Sequence, residues 1–173
     1  MLRDSIIPIK TPTLPNTMAK FNSQAVQDMP HLTLYGAQLA SAAAIAKAQE
    51  IQVPEDIAIV DASQQLLHFQ RMPKAKYASI DIAINKAFTA AGFGIPTHMY
   101  KENVSPGGPL FGINNSNGGR FMTIGGGLPI EIDGRVIGAI GCSTGTPDED
   151  RQVAQAGVDA VLAHIKNEMD HRH

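Results

Sequence analysis

Tryptophan is absent and aromatic residues make up only 5% of the 173 residues, so any core must be built from Ile, Val, Leu and Ala. Cysteine is nearly absent as well. Cys142 stands alone, which excludes an intrachain disulfide and gives no sign of an oxidising compartment. A charge excess is also missing: the net charge is -2 and the pI near 6.3, whereas phosphate binding needs clustered Lys and Arg, so no nucleic-acid partner is expected. No apolar run reaches ~18 residues, so no membrane span is expected. The opening MLRDSIIPIKTPTLP is broken by Pro8, Lys10, Pro12 and Pro15 and lacks the apolar stretch of a secretory leader, which makes a cytoplasmic location the expectation. His31, His68 and His98 lie far apart, and His171 with His173 close the chain, so the spacing predicts no metal site.

What is present is globular: 43% hydrophobic and 17% charged residues in a length that suits one core. Residues 1–30 hold four of the eleven prolines without periodicity and read as an extended arm, leaving residues 31–173 as the domain. From His31 to Gln52, Leu32, Tyr35, Leu39, Ala42, Ala43 and Ala46 recur at helical spacing. Pro54 ends that pattern, and the alternating runs 56–62 and 66–72 around Ser63-Gln64-Gln65 read as a hairpin. A second helix is expected from Ser79 to Gly92, with Ile80, Ala83, Ile84, Ala87, Phe88 and Ala91 on one face. Residues 97–120 are rich in Gly, Pro, Asn and Ser and read as the variable wall of a pocket. Asp133-Gly134 between apolar runs predicts a type I′ hairpin. Thr146, Pro147 and Glu149 then fit a capping box opening a last helix with Val153, Gly157, Val161 and Ile165 inward, its end HIKNEMDHRH expected to fray. Helices around a mainly antiparallel sheet make this an α+β fold.

Four blocks in this order, AIVDASQQLLHFQRM, ASIDIAINKAFTAAGFGIPT, NNSNGGRFMTIGGGLPI and DGRVIGAIGCSTGTPDEDRQVAQAGVDAVL, resemble the GlcG/HbpS family over about residues 32–165. The resemblance implies a profilin-like sheet flanked by helices, assembly into homo-oligomers, and binding of haem or a related small molecule. Arg71-Met72-Pro73-Lys74 departs from the family pattern, and so do two polar stretches, Cys142-Ser143-Thr144 and His98-Met99-Tyr100-Lys101. They motivate an alternative, a cofactor-free isomerase, cyclase or lyase using general acid–base chemistry on a carbonyl or carboxylate compound.

Within these blocks the candidate catalytic residues are Arg71, Lys86, His98 and Tyr100. The two cations suit a ligand carboxylate or else an ion pair with Asp61, Asp81 or Glu131. His98 and Tyr100, in the variable loop, suit ligand contact or proton transfer. Gly125-Gly126-Gly127, near Asn117 and Arg120, would present backbone N–H groups to an anion or else form a bulge or close strand crossing. Cys142 and Ser143 precede a helix N-terminus, whose dipole would lower a thiol pKa; a buried inert cysteine is the other reading. His68, on an alternating strand, is expected to point outward or be hydrogen-bonded, and Asp81 would serve as a base only if buried.

Overall fold

The computed structural model describes Ala25 and residues 28–171. Apart from Ala25 and 28–30, the arm read at residues 1–30 lies outside the described residues. The elements run α1 (Leu34–Glu50), β1 (Asp56–Asp61), β2 (Leu66–Arg71), α2 (Ser79–Phe93), β3 (Gly127–Ile132), β4 (Arg135–Ser143) and α3 (Pro147–Asp170). The four strands form one antiparallel sheet in the order β2-β1-β4-β3, with α1 and α3 on one face and α2 on the other. This is the expected α+β architecture.

Strand alternation divides the core. Ile57 and Ile59 of β1 point to the α1/α3 face with Leu128, Ile130, Ile140 and Cys142, while Ala58, Val60 and Ala139 point to α2. Each fully buried Ile contributes roughly 1.5–3 kcal/mol to the first layer. The second layer is thin because its side chains are small. A Cβ on Gly141 would run into the backbone of α2 at Ala83 and Ala87, so α2 lies directly on the sheet. On the other face a Cβ on Gly157 would come within 2.9 Å of the Ala40 carbonyl, which brings α1 and α3 equally close.

Local signals hold where the turn chemistry is self-contained. Asp133 (φ 49°) and Gly134 (φ 72°) both take the left-handed conformation of a type I′ turn. Thr146 Oγ1 accepts from the Glu149 amide at 3.3 Å while Glu149 Oε2 accepts from the Thr146 amide at 2.8 Å, completing the capping box. Two expectations need correction. The buried face of α1 is Ala37, Ala40, Ser41, Ala44 and Ala48, whereas Tyr35, Ala42 and Ala46 are exposed. A helix with alanine on every side gives hydrophobic spacing no phase, and contact with Gly157 chose it. The segment 164–170 is helical rather than frayed: Ile165 packs on the core, the His164 ring meets Tyr35 edge-on at 5.3 Å, and His164 pairs with Glu168 at 3.2 Å.

Candidate functional site

Glu55 and Asp56 precede the apolar run of β1, and the strand carries both into the interior, where each is 0% exposed. From α2, Lys86 Nζ donates to Asp150 Oδ2 at 2.6 Å and to the Cys142 carbonyl at 2.8 Å. Asp150 Oδ1 accepts from the Gly145 amide at 2.9 Å, so one carboxylate joins α2 to the entry of α3. Asp56 Oδ2 accepts from Thr144 Oγ1 at 3.3 Å, and the Thr144 carbonyl accepts from Lys76 Nζ at 2.7 Å. Burial raises the Asp56 carboxyl, against the lowering effect of the Thr144 hydroxyl and Arg71.

Glu55 is the unusual member. Neither of its oxygens has a hydrogen-bond donor among the described residues. Burial first, then the charge of Asp150, push the Glu55 carboxyl up to about 9; Lys86 opposes this and Asp56 adds to it.

The glycine segment lies on this array. A Cβ on Gly126 would sit 2.6 Å from the Cys142 carbonyl, 2.7 Å from Asp150 Cβ and 2.9 Å from Lys86 Nζ, and its φ of +117° disfavours any side chain. Its polar groups are used within the chain: the Gly126 carbonyl accepts from the Cys142 amide at 2.9 Å, and the Gly127 amide donates to Thr97 Oγ1 at 3.0 Å. Thr97 Oγ1 in turn donates to the Ile124 carbonyl at 2.7 Å. Of the two readings open for the glycines, this geometry fits the close crossing. A Cβ on Gly125, which is also buried, would lie 3.3 Å from His98 Cβ and 3.2 Å from the Pro147 carbonyl.

The remaining candidates are scattered by the fold. Arg71 is exposed on edge strand β2, its guanidinium 4.8 Å over the Tyr77 ring. His98 is exposed on the turn Thr97–Tyr100, its ring without a partner among the described residues. Tyr100 instead packs edge-on against Phe93 and Phe121 at 6.5 and 4.9 Å, and burial raises its hydroxyl. Asn117 is exposed with φ 51°, and Arg120 lies 3.8 Å over the Phe88 ring with Nε donating to Asn85 Oδ1 at 3.3 Å. Ser143 is buried beside Cys142 at the end of β4.

One expectation changes here. Lys86 is 1% exposed and pairs with Asp150, not with Asp61, Asp81 or Glu131, because the gap left by the glycines lets it reach past the sheet. Burial, then Glu55 and Asp150, raise the Cys142 thiol well above its ordinary range against Lys86, which favours the buried inert reading over the dipole-lowered one. Two clefts, of about 310 Å³ beside His31, Leu39, Ile137 and His164 and about 410 Å³ beside Met29, Gln64, Gly92 and Arg135, include no residue of 97–120. The loop walls neither of them. It turns Met99 and Phe111 outward, and Ile124 follows at its exit, 60%, 66% and 46% exposed.

Glu55, Asp56, Asp150 and Thr97 went unread in the sequence. The signal for the first two was an acidic pair directly abutting an apolar strand; Asp150 looked like one more acid in a helix's first turn, and Thr97 carried none. Among the described residues no group of His, Cys, Asp or Glu could hold a metal ion, and no helix is long and apolar enough to cross a membrane.

Residues 32–159 match the family model described as haem degrading protein HbpS-like. The 15.0 kDa protein of the dhaT-dhaS intergenic region of Citrobacter freundii is 41% identical over 133 residues, 77% of this chain and 94% of that protein. The crystal structure of Klebsiella pneumoniae ORFY superposes with a TM-score of 0.80 at 37% identity, covering 82% of this chain and 98% of that one. The PduOC:haem complex gives 0.72 at 35% identity, covering 75% and 94%. With more than two thirds of the chain matched in each comparison and the antiparallel fold in common, this protein is a member of the HbpS-like family.

Proposed function

We propose that this chain is a haem-binding protein and that His98 is the residue that meets the iron. The supporting observation is an exposed imidazole with no partner among the described residues, on a residue whose Cβ lies near Gly125, itself directly after the exposed Ile124. A neutral imidazole nitrogen is a common haem ligand, and exposed apolar surface suits the faces of the macrocycle. Arg71 makes no salt bridge among the described residues and remains open to a ligand carboxylate. Haem, when bound, supplies an iron centre whose reactivity follows its axial ligand and the polarity around it. The relative solved with haem and the wording of the family description support the same ligand class. The acid–base enzyme has less support, because Lys86 and Tyr100 are buried and already engaged.

Haemin titration followed by the Soret band tests this reading. Saturable binding by the full chain is expected, with His98→Ala at least about tenfold weaker; no saturable shift overturns the haem reading, and an unchanged His98→Ala overturns the assignment of His98. We also propose a homo-oligomer, whose assembly would cover part of the apolar surface at Phe93, Ile95, Met99 and Phe111. Sedimentation velocity checks it, and a monomer at all concentrations rejects it.

A further inference from the structure

The asparagines near the exit of the loop differ in what holds them. Asn114 Nδ2 donates to the Phe121 carbonyl at 3.3 Å and to Thr123 Oγ1 at 3.4 Å, and Asn115 Nδ2 donates to the Gly112 carbonyl at 3.2 Å. The Asn117 side chain has no hydrogen-bond partner among the described residues. It is exposed, as are Gly118 and Gly119 behind it, and all three are left-handed, with φ of 51°, 67° and 81°. A Cβ on either glycine would meet nothing within 4 Å, so the space beside this main chain is open. Elsewhere an asparagine is better protected. Asn103 precedes Val104, whose branched side chain crowds the following amide, and Asn85 and Asn167 lie within α2 and α3, where helical hydrogen bonding holds that amide.

We propose that Asn117-Gly118 is a site of spontaneous covalent modification in the folded chain, at which water converts the Asn117 carboxamide to a carboxylate through a cyclic imide shared with Gly118. Hydroxide takes the proton of the Gly118 amide, and that nitrogen attacks Asn117 Cγ. As the new C–N bond closes the ring, the Cγ–Nδ2 bond breaks and ammonia leaves with a proton from water, which regenerates hydroxide. Glycine matters at the second position because a following Cβ would crowd the nitrogen as it closes on Cγ. Water then opens the ring on either side. Attack at Cγ restores the original main chain and leaves an aspartate at position 117, whereas attack at the main-chain carbonyl leaves isoaspartate, with the chain rerouted through Cγ. Nothing is oxidised or reduced, and water is the co-reactant.

Either product alters the loop. Lys101, Glu102 and Arg120 are the Lys, Arg, Asp and Glu residues of 97–120, so one further carboxylate cancels the segment's excess of cation. Isoaspartate also lengthens the main chain at the residue whose carbonyl accepts from the Arg120 amide at 3.4 Å, just ahead of the Arg120 guanidinium on the Phe88 ring. This inference does not depend on haem.

The test is incubation of the folded full chain in mildly alkaline buffer made with ¹⁸O-water, followed by digestion in ordinary water. Electron-transfer fragmentation of the peptides locates each new carboxylate and separates isoaspartate from aspartate. Position 117 is expected to gain both products, each with one heavy oxygen, at least about tenfold faster than positions 114 and 115, whose carboxamides are held by hydrogen bonds. Gly118→Ala is expected to slow the conversion at least about tenfold. No product at 117, equal conversion at 114 and 115, or an unchanged rate in Gly118→Ala overturns the proposal. Should the variant fail to fold, the ratio of the three positions in the wild type decides by itself.

Discussion

At the end of the sheet where β1 begins and β4 ends, charge is packed inside, whereas the neighbouring segment 97–124 turns apolar side chains outward. Lys86, Asp150, Glu55 and Asp56 are nearly inaccessible, while Met99, Phe111 and Ile124 lie largely in solvent. The difference separates two kinds of polar residue. Lys86 and Asp150 satisfy each other and leave no valence for a ligand, so their chemistry is spent on holding helices together. His98 has an unpartnered ring and apolar neighbours, which is the arrangement a ligand can complete. Gly125 joins the two regions, touching His98 on one side while Gly126 lies against Lys86 on the other.

The sharpest way to break this comparison is to remove the cation from the closed region. Lys86→Met should cost about 3–5 kcal/mol, because it strands Asp150 beside Glu55; urea unfolding measures it, and a loss below about 1 kcal/mol would mean that the array is hydrated and not closed. Gly141→Ala should cost roughly 1–3 kcal/mol by forcing α2 off the sheet, with no effect on haemin binding beyond that of stability. His98→Ala should do the reverse. Haemin affinity should fall about tenfold, or about 1.4 kcal/mol, while unfolding free energy stays within about 0.5 kcal/mol of wild type. Equal effects of His98→Ala on both measurements would erase the distinction between the regions. The smallest change is Thr146→Ala, expected to cost about 1 kcal/mol by uncapping α3. The Glu149 carboxyl is lowered by its backbone and hydroxyl hydrogen bonds to Thr146, so its support of the cap is present above the ordinary carboxylate range and lost as pH falls through its lowered value. In Thr146→Ala that acid-side slope should flatten.

Legibility in the sequence followed the range of the interaction. The type I′ turn at Asp133-Gly134 and the capping box at Thr146 and Glu149 are closed within four residues, so side-chain chemistry alone announced them. The phase of α1 was not legible, because alanine on all sides makes every face acceptable until Gly157 supplies a partner. Among the candidate residues, Lys86, Cys142 and the glycines do meet, but as a packed crossing, and Arg71, Asn117 and Arg120 lie apart from them. His98, like Arg71 and Asn117, presents an exposed polar side chain.

By itself the sequence determined the order of helices and strands, the antiparallel pairing, the absence of a disulfide and the family, since each depends on residue type and short spacing. Tertiary structure alone decided which acids are inside. Glu55, Lys86 and Asp150 are separated by long stretches of chain, and an acid's protonation and a cation's availability depend on what surrounds it in space.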